Sequence, residues 1–150
     1  MELTLRRATI DDVELLATMN QQLIEDESSR NPMSIEELKG RMYDFIQKDW
    51  QADLILLDSH VIGYVLYQVR LDDYDPHLSV VYIRQYFICR DHRAKGYGRT
   101  AFQLLKEIRF RNQVDFAIDV LATNSSGKRF LDSVGFEEYS TSMKHTRNNA

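Results

Sequence analysis

The hydrophobic period of the sequence changes near Trp50, and this change limits the fold more than any other feature. Before Trp50, apolar residues recur at helical spacing over 10–26 and again over 35–46, where Ser34 and Glu37 form a capping box. After it, short runs rich in Val, Ile, Tyr and Leu predict strands. The chain is therefore expected to fold as helices packed against one sheet.

The remaining elements follow from the same patterns. Strands are predicted near Leu3–Leu5, over 54–57 and 61–70 as a hairpin, and over 79–89, 116–120 and 136–144. Two further helices are expected after Gly98 and after Asn124. The predicted order is β-α-α-β-β-β-α-β-α-β, an α/β (α+β) fold with a single mixed, mostly antiparallel sheet. We expect one domain over 1–146 and a flexible tail over 147–150.

The charge balance of the chain argues against one large class of partners. Nineteen Lys and Arg stand against 23 Asp and Glu, which leaves a formal net charge of −4. A sequence-independent grip on nucleic acid needs a strong excess of positive charge, so no nucleic-acid partner is expected. The acidic balance mildly favours cationic small molecules.

The cysteine and histidine content argues against an internal disulfide and against a metal site. The lone cysteine, Cys89, allows no internal disulfide and suits a reducing compartment. The four histidines lack metal-ligand spacing, so no metal site is predicted. The first ten residues do not resemble a signal peptide, and no apolar run is long enough to span a membrane. We expect a cytoplasmic protein without a membrane partner.

A basic loop with two glycines follows the longest predicted strand and leads into a helix. The first turn of a helix presents unpaired N–H groups and a partial positive charge, which together favour phosphate. Gly96 and Gly98 let the backbone approach an anion closely, and the nearby Arg93, Lys95 and Arg99 add positive charge. The loop is therefore expected to bind a pyrophosphate.

Two other interpretations of this loop remain open. The pattern Gly96-x-Gly98-x-x-Ala101 formally matches a dinucleotide-binding fingerprint, although six residues separate Cys89 from Gly96 where that fingerprint needs an immediate turn. The loop could also be a strand-to-helix turn that binds nothing. Affinity for NAD and none for coenzyme A would favour the dinucleotide interpretation.

The pattern Arg93-x-x-Gly96-x-Gly98, at the start of a helix after a long strand, resembles the pyrophosphate loop of the GCN5-related N-acetyltransferase (GNAT) family. A second block, Asn124 followed by Phe130 and by Gly135-Phe136, is similar to another signature of that family. The predicted element order also resembles the family's fold along nearly the whole chain.

The resemblance implies that acetyl-CoA is the cofactor and suggests where it binds. The pantetheine arm would pair with the backbone of Phe87 and Ile88, in a cleft where the fourth and fifth strands part. The pyrophosphate would be held by the loop and helix start, namely Arg93, Ala94, Lys95, Gly96, Tyr97, Gly98, Arg99 and Thr100. Asn124 and Phe130 would contact the cofactor, although a plain helix cap and simple core packing are the alternatives for these two residues.

The resemblance also implies a reaction in which an amine attacks the thioester directly. A base or a water chain must take the amine's proton, yet the strand over 79–89 contains no carboxylate, and Gln85 is the candidate that positions the amine or water. Family members often protonate the departing thiolate with a tyrosine, but Leu131 occupies that position here. Tyr139 is the candidate substitute, with Tyr97, Tyr86 and solvent as alternatives.

Acidic side chains dominate the regions expected to bind the acceptor. Glu25, Asp26 and Glu27 follow the first helix, and a second acidic loop contains Asp72, Asp73 and Asp75. Two such loops facing one cleft would attract a cationic amine, although charge runs of this kind can also be solvated surface. Glu25, Glu27 and Tyr82 are the predicted substrate-binding residues, and Asp119 is either a further candidate or a partner of Arg84.

These patterns predict an acetyl-CoA-dependent N-acetyltransferase that modifies a small cationic amine or a peptide amine. The alternative is a module that binds acyl-CoA and transfers nothing, which the absence of the usual tyrosine and strand carboxylate would allow. Exposed strands at a sheet edge also make a homodimer plausible.

Overall fold

The computed structural model of the chain describes residues 2–148. Its strands are β1 (Leu3–Arg7), β2 (Gln51–Leu57), β3 (His60–Leu71), β4 (Ser79–Ile88) and β5 (Asp115–Ile118). Its helices are α1 (Val13–Asp26), α2 (Ile35–Gln47), α3 (Tyr97–Leu104) and α4 (Ser125–Ser133). Short 3-10 turns cover Ile10–Asp12 and Arg90–His92, and a π-helical turn over Leu105–Arg109 prolongs α3.

The five strands form one sheet in the order β1-β2-β3-β4-β5. The first four pair antiparallel with their neighbours, whereas β5 pairs parallel to β4. A parallel neighbour requires a crossover connection, which α3 provides. The predicted fold class, a single mixed and mostly antiparallel sheet flanked by helices, is confirmed.

Hydrophobic residues fill both faces of the sheet. On one face, Leu16 of α1 and Met42 of α2 pack against strand residues that include Tyr64 and Phe87. On the other face, Phe102 of α3 packs against Tyr67 and Ile83, among others. Because α1 and α2 cover one face and α3 covers the other, the ends of α1 and α3 meet β4 from opposite sides.

The strand predicted over 136–144 does not form. Phe136 is half-buried against Phe102, with ring centroids 5.3 Å apart, but the chain from Glu137 to Thr146 is exposed and has no regular structure. Its large apolar side chains, Tyr139 and Met143, are 92% and 90% exposed. A segment that buries no side chain has nothing to hold it against a sheet edge. The predicted tail is described only at Arg147 and Asn148, which form a turn; residues 149 and 150 lie outside the described residues.

A bulge in β4 lies where the strand loses its β5 neighbour. Leu66 pairs with Gln85 and Tyr67 pairs with Ile83, so Arg84 has no partner residue on β3. On the opposite side, the pairing with β5 covers only Val80–Ile83 of β4. From Arg84 to Ile88, β4 therefore has no neighbouring strand on that side, and the sheet opens there.

Candidate active site

The opening between β4 and α4 is a cleft of about 550 Å³. The free half of β4, the loop after it and the first turn of α3 form one wall, and α4 forms the other. The last turn of α1 closes the cleft with Leu23, Asp26 and Glu27. We call this space the main cleft.

The loop between β4 and α3 presents a row of free backbone donors. Within the described chain, the N–H groups of six consecutive residues, Ala94 to Arg99, have no hydrogen-bond partner. Ala94 (φ +59°) and Gly96 (φ +82°) adopt left-handed conformations between the extended Arg93 and the helix start at Tyr97, and such a backbone can curl its amides around a concave space. Gly96 also leaves the start of α3 without a side-chain cap. The local structure is that of an anion-binding loop at a helix N-terminus.

The arginines of this loop are already held by a carboxylate of α1. Arg93 donates from Nε to the backbone oxygen of Ile88 (2.7 Å) and from its guanidinium to Asp26 (2.5 Å), and Arg90 also binds Asp26 (2.7 Å). Burial alone would raise the pKa of Asp26, but the hydrogen bonds from Arg93 and Arg90 outweigh it, and its pKa lies below the usual value. The ion pairs therefore tie the end of α1 to the loop.

Most of the predicted cofactor-binding residues meet in the main cleft. Its lining includes ten of them: Phe87, Ile88, Arg93, Ala94, Gly96, Tyr97, Gly98, Arg99, Asn124 and Phe130. Lys95 and Thr100 do not line it, and Thr100 instead donates from Oγ1 to the backbone oxygen of Gly96 (3.1 Å). The structure thus brings the loop, the strand end and the α4 residues together, as the sequence predicted.

The end of β4 offers a backbone donor to the cleft. Cys89 donates its N–H to the oxygen of Ile62 on β3 (2.7 Å), so the alternation of the strand points the N–H and C=O of Ile88 the other way, towards the opening. Arg93 occupies the carbonyl oxygen of Ile88. The Ile88 N–H is left to face the cleft. Burial raises the pKa of the half-buried Cys89 thiol.

Asn124 and Phe130 on α4 both stabilise the fold and line the cleft. Asn124 caps the helix by accepting the Gly127 N–H on Oδ1 (3.0 Å). The ring of Phe130 lies 5.6 Å from that of Tyr86, and a Cβ placed on Gly98 would come within 3.0 Å of it. The cap and packing interpretations are therefore confirmed for these residues, and they coexist with a position in the cleft wall.

A second, narrower space of about 90 Å³ continues from the main cleft along β4 and β5. We call it the narrow branch. Leu23, Glu27, Tyr86, Asn124, Gly127 and Phe130 line both spaces, and Arg84, Gln85, Asp119 and Leu131 line the branch alone. The side chain of Leu131 thus faces the position where the family's tyrosine would act.

Gln85 is buried in the wall of the narrow branch. Its side chain is held by a hydrogen bond from the Tyr64 hydroxyl to Oε1 (2.8 Å), and burial raises the pKa of that tyrosine. Because Oε1 accepts this proton, the amide Nε2 of Gln85 remains as a donor. The predicted positioning residue therefore lies beside the cleft in a fixed orientation.

Glu27 is the acidic residue that the structure places most centrally. It is half-buried at the end of α1 and lines both the main cleft and the narrow branch. Burial and, after it, the neighbouring Asp26 raise the pKa of its carboxyl group. A carboxylate whose pKa is raised towards neutrality is a better proton acceptor than an ordinary surface glutamate.

The other acidic candidates are not placed to attract a cation into the cleft. Glu25 lies outside both spaces and pairs with Arg90 (3.3 Å). In the second acidic loop, Asp72 accepts the N–H groups of Tyr74 and Asp75, so it closes its own turn. The expectation that two acidic loops face one cleft is wrong, because Asp26 and Glu27 line the main cleft, whereas the loop that contains Asp72 lines neither space.

Two further predicted residues also lie away from the cleft. Tyr139 belongs to the exposed segment after α4 and lines neither space. Tyr82 lines neither space directly, but its hydroxyl donates to Asp119 (2.5 Å), which does line the narrow branch. Asp119 thus pairs with Tyr82 rather than with Arg84.

Tyr86, an alternative proton donor, has a structural partner. Its hydroxyl donates to the backbone oxygen of Gly98 (2.6 Å), and burial raises the pKa of its phenol. Tyr86 therefore ties β4 to the first turn of α3.

The structure adds a residue to the cleft that sequence reasoning missed. His92 lines it, and the buried Nδ1 of His92 has no partner within the described residues. His92 lies directly before Arg93, so its position in the basic loop was the available signal. Among residues 2–148 no group of three acidic, histidine or cysteine side chains is placed to hold a metal ion, and no helix is long and apolar enough to cross a membrane.

Comparison with known proteins agrees with this geometry. The sequence of residues 20–136 matches the family described as Acetyltransferase (GNAT) family, which covers most of the chain. The protein therefore belongs to the GNAT acetyltransferase family. No curated protein sequence matches the chain.

Solved structures share the fold at low sequence identity. A possible acetyltransferase from Clostridium difficile 630 superposes with a TM-score of 0.80 at 17% identity, covering 98% of both chains. The ribosomal-protein-alanine N-acetyltransferase of Brucella melitensis biovar Abortus 2308 gives 0.76 at 12% identity, covering 97% of this chain and 100% of its own. The aminoglycoside N-acetyltransferase AAC(6')-Iy, in complex with CoA, gives 0.75 at 15% identity, covering 97% and 95%.

Proposed function

We propose that the protein is an N-acetyltransferase that moves the acetyl group of acetyl-CoA to a primary amine by direct attack on the thioester. The observation that carries this proposal is the row of six free N–H groups from Ala94 to Arg99, which opens into a cleft beside the unpaired end of β4. A pyrophosphate fits such a donor row, and an extended chain with amide groups fits an unpaired strand edge.

The residues at the two walls support this placement of acetyl-CoA. The loop amides and the first turn of α3 would hold the pyrophosphate, and the Ile88 N–H would face the pantetheine arm or the thioester. Asn124 and Phe130 would contact the arm from α4, since both already line the main cleft. When bound, acetyl-CoA supplies an acetyl group activated as a thioester.

The chain's own residues account for the proton that the amine must lose. Glu27 would accept it, because its carboxylate reaches both the main cleft and the narrow branch and its pKa is raised. Gln85 would position the amine through its free amide Nε2. The Ile88 N–H would stabilise the negative charge that develops on the carbonyl oxygen when the N–C bond forms, before the C–S bond breaks and the charge passes to the departing thiolate.

The departing thiolate would be protonated by water. Leu131 supplies no proton at the position of the family's tyrosine, Tyr86 is bonded to Gly98, and Tyr139 lies outside the cleft. A thiol with a pKa of about 8.5 is already a good leaving group, so the reaction needs little help at this step.

A module that binds acyl-CoA without transfer is the second candidate. Leu131 favours it, because its apolar side chain faces the narrow branch where a family enzyme would place its acid. Both candidates predict binding of acetyl-CoA, and only the enzyme predicts release of free CoA in the presence of an amine. The amine acceptors named for two of the similar structures, an aminoglycoside and a ribosomal-protein alanine, favour the enzyme.

The first test is a calorimetric titration of the purified protein with acetyl-CoA, with NAD as the control. Saturable binding of acetyl-CoA alone supports the loop assignment, and release of free CoA with a panel of primary amines then supports transfer. Binding without release would favour the acyl-CoA module. Binding of NAD and not acetyl-CoA would overturn the assignment.

A further inference from the structure

Three arginines and three aromatic rings form a patch beside the narrow branch. Arg84 lies over the rings of Phe45 (5.1 Å from the guanidinium carbon to the centroid) and Trp50 (5.6 Å), and Arg70 lies over Tyr82 (4.2 Å). Arg41 also lies over Phe45 (5.6 Å). We call these six residues the arginine–aromatic cluster. Its rings fix the guanidinium groups by stacking, which leaves their N–H edges available.

The bulge in β4 is what brings this cluster to the site. Because Arg84 is the extra residue of β4, it and Gln85 both face the side of the sheet covered by α1 and α2. Arg84 also sits one residue beyond Ile83, where the pairing with β5 ends. The side chain therefore lines the narrow branch together with Gln85 and Asp119.

No carboxylate neutralises the three arginines. Every salt bridge found among residues 2–148 uses other cations, whereas Arg41 and Arg70 donate to the neutral amides of Asn20 and Gln68. The buried Nε of Arg41 has no partner at all within that range. Burial and the nearby positive charge of Arg84 lower the pKa of Arg41. Uncompensated positive charge at the edge of a cleft favours an anionic ligand.

The carboxylates of the narrow branch form no ion pair with these arginines within the described chain. Glu27 lies at the end of α1, and Asp119 accepts the Tyr82 hydroxyl without approaching any arginine within 4 Å in the described chain. The branch therefore offers both an acidic side chain for an ammonium group and a guanidinium group for an oxyanion. This pairing suits a molecule that carries both charges.

We propose that the acceptor is a small amine that also carries a carboxylate, and that Arg84 binds this carboxylate while the amine lies towards Glu27. The inference rests on the proposed N-acetyltransferase function and narrows its substrate class. It replaces the cationic acceptor that the two acidic loops suggested, because only the first of them faces the cleft and Arg84 adds a positive charge to the narrow branch. Arg70 and Arg41 act as neighbouring charges that strengthen the attraction.

The test compares matched acceptors with the full chain and acetyl-CoA, following the release of free CoA. Each set contains an α-amino acid, its primary amide and the amine left after decarboxylation, for example L-phenylalanine, L-phenylalaninamide and phenethylamine. The set is repeated for small, acidic and aliphatic side chains. For the amino acids that react, we expect kcat/KM to exceed that of the matched amide by about 10- to 100-fold, as for one charge-assisted hydrogen-bonded pair.

Variants of Arg84 test whether the preference for amino acids depends on the arginine–aromatic cluster. Arg84→Gln should raise KM for the amino acid and remove its advantage over the amide, whereas Arg84→Lys should retain part of it. Arg129→Gln, which removes an exposed arginine that lines neither space, is the matched control and should change nothing. Because the Arg84 side chain is exposed, these variants should fold, and their affinity for acetyl-CoA should match that of the parent protein.

The outcomes separate this inference from the function on which it rests. Equal or faster turnover of the amides and decarboxylated amines would overturn the inference and leave the N-acetyltransferase intact. An Arg84→Gln variant that keeps the full preference for amino acids would also overturn it. Acetyl-CoA binding without turnover of any amine would contradict the enzyme itself.

Discussion

The two ends of the cleft present different chemical groups, backbone N–H groups at one end and side chains at the other. At the end formed by the loop between β4 and α3, the free polar groups are the six backbone N–H groups from Ala94 to Arg99, and side chains chiefly shape the loop. In the narrow branch, the functional groups are side chains that come from α1, β4, the segment after β5 and α4. A backbone-built site needs one short motif, whereas a site built from side chains needs the whole fold to assemble it.

The two ends also differ in how their arginines are balanced. Arg90 and Arg93 share the carboxylate of Asp26. Arg41, Arg70 and Arg84 stack on rings and have no such partner among residues 2–148. The first pair ties the loop to the end of α1, whereas the positive charge of the second group is not neutralised by a carboxylate in the described chain.

The largest effect on kcat is expected from a change at Glu27, which lines both the main cleft and the narrow branch. Glu27→Gln should lower kcat by about 10²- to 10⁴-fold, the usual contribution of a general base, and leave the affinity for acetyl-CoA unchanged. Steady-state release of CoA and calorimetry measure the two quantities. The variant should be at least as stable as the parent, because a raised carboxyl pKa means that the folded state disfavours the charged form.

The pH profile sharpens this prediction. A base works only when deprotonated, so kcat/KM should rise with pH through the pKa of Glu27, which lies above the value of about 4.3 for a free glutamate. Glu27→Gln should lack this acid limb and retain any rise due to the amine itself. A variant with an unchanged profile would show that Glu27 does not take the proton.

The next largest effect is expected on the affinity for acetyl-CoA, from a substitution at the start of α3 beside the loop. Gly98→Val would place a Cβ 3.0 Å from the ring of Phe130 and a branched side chain beside the free amides. We expect the Kd for acetyl-CoA to rise by about 100-fold or more, the equivalent of two lost charge-assisted hydrogen bonds. Calorimetry measures this change.

Gly40→Ala in α2 is the matched control for Gly98→Val. No atom lies within 4 Å of a Cβ at Gly40, so this change should leave binding intact and raise the melting temperature through helix propensity. A folded Gly98→Val protein that binds acetyl-CoA normally would contradict the role of the loop.

A smaller effect is expected from the contact between α1 and the loop. Asp26→Asn should lower Tm at pH 7 by about 2 °C, since partly exposed ion pairs contribute little. The pKa of Asp26 is lowered on folding, so its contribution is present above the unfolded value of about 3.9 and is lost as the pH falls through the native pKa. Melting curves of parent and variant should therefore converge in acid.

Asp91→Asn tests whether that effect belongs to the ion pairs. Asp91 lies in the same loop, is exposed and pairs with no cation within residues 2–148. Its variant should melt like the parent at every pH. A Tm difference for Asp26→Asn that persists in strong acid would point to packing instead of charge.

The smallest effect is expected at the position of the absent tyrosine. Leu131→Tyr would place a hydroxyl in the narrow branch without touching the loop, so the affinity for acetyl-CoA should stay the same. Because a thiolate leaves readily, kcat should rise by less than about tenfold. Rapid measurement of CoA release checks this, and a large loss of acetyl-CoA affinity would show that Leu131 is needed for packing.

Local patterns predicted most of the fold because they act over a few residues. The capping box of Ser34 and Glu37 forms as expected, with hydrogen bonds of 3.2 and 3.0 Å, and the strand pattern over 79–89 becomes β4. The segment over 136–144 alternates weakly, and its fate depends on whether a sheet edge buries it, which no local pattern states. The bulge at Arg84 depends likewise on register with β3.

The same difference between local patterns and tertiary contacts explains which residues of the candidate site could be predicted. Ten of the predicted cofactor-binding residues line the main cleft because they belong to two short contiguous motifs. Glu25 and Glu27 have the same chemistry in the sequence, yet only the fold turns Glu27 inward and leaves Glu25 with Arg90. The role proposed for Arg84 required knowledge of the rings that it contacts, which come from α2 and from the residue before β2.

The extra residue in β4 also affects how a chain of this kind can change over time. Ile83 and Gln85 pair with neighbouring residues of β3 and face opposite sides of the sheet, so deleting Arg84 would restore regular alternation and leave Gln85–Ile88 on their present faces. Phe87 would stay in the core and the Ile88 N–H would still face the opening. Position 84 can therefore change by substitution or by deletion without disturbing the end of the cleft that the loop between β4 and α3 forms.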